Sequence, residues 1–135
     1  MVGFSRSGGS TGTTVPVVQA AVGPQQNIHD VARDLLEGLG AAVVQAMTAV
    51  KDRGAPAQWA KPDGPTPRIE IEQRLRLAHR VRRTLTESEG PSVALAWLVG
   101  SNPRLGEATP VTYIRELRTA DVLGAAEAFV NGVPG

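Results

Sequence analysis

The sequence predicts an all-α protein, a small helical bundle. Two observations carry this. Apolar residues recur at three- and four-residue spacing in one segment after another, whereas strand-like alternation never persists long enough to count. The apolar share of 41% comes mainly from Ala, Val and Leu, because only two Phe, two Trp and one Tyr are present in 135 residues.

Residues 1–26 are rich in Gly, Ser, Thr and Val, hold the single charge Arg6, and predict a flexible tail that buries too little to offset its ordering entropy. The stretch from Gly8 to Thr14 superficially resembles a phosphate loop, but it lacks the lysine and the preceding strand. Asn27 is a helix cap, followed by Ile28, Val31, Leu35 and Leu39 on one face, with Gly38 and Gly40 as stop signals. A second helix carries Val43, Ala46, Met47 and Val50. A short third one runs from Ala55 to Ala60, with Pro56 in its first turn. Three prolines and a glycine make residues 61–67 a loop and the main internal boundary.

Beyond it, Ile71, Leu75, Ala78, Val81 or Arg82, and Leu85 trace a long amphipathic helix that Gly90-Pro91 ends. Residues 93–99 are apolar on every side, Trp97 included, and predict a central helix buried all round. Asn102-Pro103 turns the chain. Thr109 then caps a helix that opens on Pro110 and carries Val111, Ile114 and Leu117, and residues 120–130 form a last helix before Gly132. Trp59 and Trp97 both read as core residues, and the segment after Val130 reads as a frayed end.

Fourteen basic and thirteen acidic residues give a net charge of +1, so overall charge does not mark a nucleic-acid binder. The absence of cysteine excludes disulfides and thiolate chemistry. No apolar run spans a bilayer and no leader pattern opens the chain, which points to a soluble, cytoplasmic protein. His29 and His79 lack partners at the spacing of a metal or catalytic motif, and no nucleophile elbow occurs. These observations predict no enzyme, metal or cofactor. Local charge is more informative. Arg68, Arg74, Arg76, Arg80, Arg82 and Arg83 crowd one stretch, and Arg76, Arg80 and Arg83 share a helix face able to meet phosphates or an acidic protein surface, unless that face is simply solvated.

The order Leu39-Gly40, apolar helix, polar turn, short helix ending in Trp59, Pro-rich loop and long helix from Glu70 resembles the helix-turn-helix region of Xre/MbcA/ParS-type antitoxins. The second half resembles the toxin-binding domain of that family, through Trp97, Asn102-Pro103, Leu105, Pro110 and the helix to Val130. After the tail over residues 1–26, the resemblance implies a helix-turn-helix-like region over 27–67 and a helical toxin-binding-like region over 68–135. It further implies a cognate toxin of the NAD-destroying RES type, with duplex DNA as a second partner and a homodimer or hetero-oligomer as the assembly. Arg53, Gln58 and Lys61 are the available groove contacts, beside Arg76, Arg80 and Arg83. Asn102, Arg104, Arg115, Arg118, Val133, Pro134 and Gly135 are the expected toxin contacts, the last three as a slim extension entering a concave site with Arg115 and Arg118 beside it. A free-standing DNA-binding regulator and a structural adaptor without DNA binding remain alternatives.

Overall fold

The computed structural model describes residues 25–133. The expected tail therefore lies outside the described residues, except for Gln25 and Gln26. Within them the chain is all-α, with no strand and seven helices: α1 (Ile28–Leu39), α2 (Ala41–Thr48), α3 (Ala55–Trp59), α4 (Ile69–Glu89), α5 (Pro91–Val99), α6 (Pro110–Arg115) and α7 (Thr119–Val130). A 3-10 turn, Pro103–Leu105, links α5 to α6.

The local signals act as expected at α1, where the Asn27 side chain accepts from the His29 amide at 2.8 Å and Val31, Ala32 and Leu35 are buried. Gly38, however, does not stop the helix. It lies inside α1, where a Cβ would meet the Arg82 guanidinium, so the glycine serves a close approach between helices. The break falls at Gly40, whose φ of +88° suits a residue without a Cβ.

In α2 the buried set is Val44, Met47 and Thr48, and Ala46 is exposed. The sequence favoured a face one residue earlier because Ala and Val surround this helix. Thr48 can join the core since its hydroxyl donates to the Val44 carbonyl at 2.8 Å. Trp59, at the end of α3, is buried as expected, and its carbonyl bonds His29 Nδ1 at 2.8 Å.

The larger correction concerns the centre. Residues 93–99 are not buried all round: only Ala94 and Leu98 of α5 are buried, while Val93 is 39% and Val99 47% exposed. The central helix is α4, which packs against α1, α2, α5, α6 and α7. Contacts of Gln26 with Arg76, Asp34 with His79 and Gly38 with Arg82 show that α1 and α4 run side by side in the same direction. One continuous core, from Ile28 to Ala126, joins both segments of the chain.

Arg74 holds them together as well, donating from Nε to the Arg115 carbonyl at 2.7 Å and from Nη1 to the Thr48 carbonyl at 3.2 Å. These are the last residues of α6 and α2, so one cation satisfies two helix C-termini.

Two helix ends close by the same device. At α7 the Val133 amide bonds the Ala128 carbonyl at 2.8 Å and the Gly132 amide bonds that of Phe129 at 3.1 Å, with Gly132 at φ +73°. This Schellman turn folds Val133 back onto the helix, where the sequence suggested fraying. At α6 the pair is Arg118 to Tyr113 and Leu117 to Ile114, both 2.9 Å. Leu117 therefore leaves the helical face it was expected to share and adopts φ +55°.

Candidate partner-binding surface

The end of α5, the 3-10 turn and the end of α7 converge on a pocket of about 310 Å³ lined by Trp97, Asn102, Arg104, Ala125, Phe129 and Val133, among others. The sequence builds it in three steps. The Asn102 side chain accepts from the Arg104 amide at 2.9 Å, and its carbonyl accepts from Leu105 and Glu107, so Asn102 shapes the turn from within. Ala125 and Phe129 lie one turn apart on α7 and face the same way. The Schellman turn then brings Val133 to the rim.

Trp97 packs against the core but is only half-buried, and its ring meets that of Phe129 at a centroid distance of 6.2 Å and an angle of 43°. Phe129 is 39% and Val133 47% exposed. With Val93, one turn before Trp97, these residues form an exposed apolar patch beside a cationic side chain, the composition of a protein–protein hot spot.

Of the expected toxin contacts, the structure brings Asn102, Arg104 and Val133 together at this pocket. Pro134 and Gly135 lie outside the described residues. Arg115 and Arg118 do not join them. Arg118 sits at the opposite end of α7 from Val133, about 18 Å away at the rise of an α-helix; it stacks 4.1 Å over the Tyr113 ring and pairs with Asp121 at 3.1 Å. Arg115 reaches back towards the Ala46 carbonyl of α2. Sequence reasoning missed Val93 as an exposed residue and Trp97 as a half-buried one, because the apolar segment 93–99 was taken as core.

Among the expected DNA contacts, Arg53, Gln58 and Lys61 are all exposed around α3, a helix of only five residues. Arg76, Arg80 and Arg83 instead lie along α4, in a groove away from the Trp97 pocket. His79 is buried, and its Nε2 lies 3.3 Å from Asp34 Oδ2, an acid partner 45 residues away that no local spacing reveals. Among the described residues no group of three or more His, Asp or Glu side chains is placed to hold a metal ion, and no helix is long and apolar enough to cross a membrane.

Fold and surface together define a small helical bundle with an exposed apolar patch. Among solved structures it is similar to a chain of the M. tuberculosis MbcT–MbcA toxin–antitoxin complex, with a TM-score of 0.68, 21% identity, and coverage of 82% of this chain and 100% of that one. That likeness shows the fold. No family model matches the chain, and neither does any curated protein.

Proposed function

We propose that this protein is an antitoxin: it binds a cognate toxin protein and inhibits it, acting by binding rather than by catalysis. The observation that carries the reading is the fold likeness, which spans the whole of a chain from a toxin–antitoxin complex. The apolar Trp97–Phe129–Val133 patch supports it, because an exposed aromatic cluster gains most when a partner covers it.

In this reading the Trp97 pocket, with Asn102 and Arg104, meets the toxin, and the chain end beyond Val133 extends the same contact. The toxin is of the RES type and the complex is cytoplasmic. Arg115 and Arg118 form a separate, charged edge of the interface. Autoregulation by DNA is a second part of the proposal and falls to Arg53, Gln58 and Lys61, exposed around α3.

Co-purification of the untagged full chain from its native host tests the reading. A stoichiometric protein partner that is retained by the wild type and lost with Phe129→Asp is the expected result. Purification with nucleic acid alone, or with nothing, would overturn it and return the regulator or the adaptor.

A further inference from the structure

The outward stripe of α4 from Gln73 to Glu87 is the floor of a groove of about 710 Å³. Gln26 and Val31 stand on one side, and Leu117 and Thr119 at the α6–α7 joint on the other. At the helical rise the floor is about 21 Å long, the length of a helix of some four turns.

Its chemistry is amphipathic. Half-buried Leu117 and the aliphatic stems of the arginines supply apolar contacts above Leu77, which is buried in the core, and Arg76, Arg80 and Arg83 supply cations at three- and four-residue spacing. Arg76 is fixed in place by Glu72 at 2.9 Å and by the Gln26 carbonyl at 2.8 Å. Arg83 has only a solvent-exposed pair with Glu87 at 3.4 Å, which a ligand carboxylate can replace at little cost. Arg80 is exposed and has no side-chain partner among the described residues.

We propose that this groove docks an acidic amphipathic helix of a partner protein, with apolar side chains on Leu117 and the arginine stems and carboxylates on the three guanidinium groups. Two features favour this occupant over duplex DNA. The apolar contacts would be idle against a phosphate backbone. Glu72 and Glu87 flank the three arginines and would repel closely spaced phosphates. The chain's own residues 1–24 carry Arg6 as their single charged side chain, so they bring no side-chain carboxylate. The site is separate from the Trp97 pocket, and its occupancy stands whether or not a toxin partner is found.

The test uses the full chain and a fluorescein-labelled peptide about 14 residues long, with Leu at i, i+3, i+4 and i+7 and Glu on the flanking positions, read by fluorescence anisotropy. Saturable binding is expected, weakened at least about tenfold by Arg80→Glu with Arg83→Glu and unchanged by Trp97→Ala. Circular dichroism checks that the variants fold. The same peptide with Lys for Glu should not bind. Absence of saturable binding, equal binding of the Lys peptide, or indifference to the double variant would each overturn the proposal. So would displacement of the peptide by a mixed-sequence duplex that depends on the same two arginines, which would make the groove a nucleic-acid site.

Discussion

Replacing Arg74 by Met keeps the aliphatic stem in the core and removes the guanidinium that bridges α2 and α6. The loss can be worked from the geometry. Each hydrogen bond from a charged donor contributes about 1.5–3 kcal/mol. The bond to the Arg115 carbonyl is short at 2.7 Å and that to the Thr48 carbonyl longer at 3.2 Å, and both are only partly buried. Taking the low end for each gives about 3 kcal/mol, which in a domain of this size lowers the Tm by about 12 °C or more. Thermal and urea unfolding followed by circular dichroism measure it. Arg80→Met and Arg83→Met are the controls, expected to cost less than about 1 kcal/mol because Arg80 is exposed without a side-chain partner among the described residues and Arg83 has only a solvent-exposed pair with Glu87. If Arg74→Met unfolded together with these controls, the bridge would contribute nothing and the account of how the two segments are held would fail.

Two glycines should respond in opposite directions to alanine. At Gly64 a Cβ would run into the backbone carbonyl of Gln58, which cannot swing aside, so Gly64→Ala should cost about 1–3 kcal/mol; Gly124, inside α7 with nothing within 4 Å, should gain about 0.5–1 kcal/mol. The tryptophans should also differ: Trp59→Ala should cost about 3–5 kcal/mol, as for a buried aromatic, and half-buried Trp97→Ala clearly less. Equal urea midpoints for the two would contradict the assigned burial. Truncation after Val130 removes the Schellman turn and should cost about 1 kcal/mol while leaving the fold intact by circular dichroism.

The elements of the fold were legible in the sequence because their signals are local. Asn27, Gly40, Gly90-Pro91 and Thr109-Pro110 act within a turn of themselves, and each marks an observed boundary. What escaped depends on neighbours far along the chain. Asp34 beside His79 and Arg74 beneath the ends of α2 and α6 arise only once α1, α2 and α6 pack on α4. The arginine series looked uniform in sequence, yet Arg74 caps helices, Arg82 lies against Gly38, and Arg76, Arg80 and Arg83 line a groove.

The most instructive error concerned α5. An apolar surface on every side is the pattern of a buried helix, but it is equally the pattern of a helix that its own chain covers on one side only. Hydrophobicity alone does not distinguish the two. Asn102, Arg104 and Val133, expected from the sequence as contacts, converge on one pocket, whereas Trp97 beside them was expected in the core.

The central claim is that the Trp97–Phe129 patch binds and silences a toxin. The most direct measurement is growth of cells producing the co-purified partner together with wild-type protein, Phe129→Asp, or the Arg80→Glu and Arg83→Glu double variant, with protein levels matched. The account predicts arrest by the partner alone, rescue by the wild type and by the double arginine variant, and loss of rescue with Phe129→Asp. Rescue by a soluble, folded Phe129→Asp variant equal to that by the wild type would contradict it.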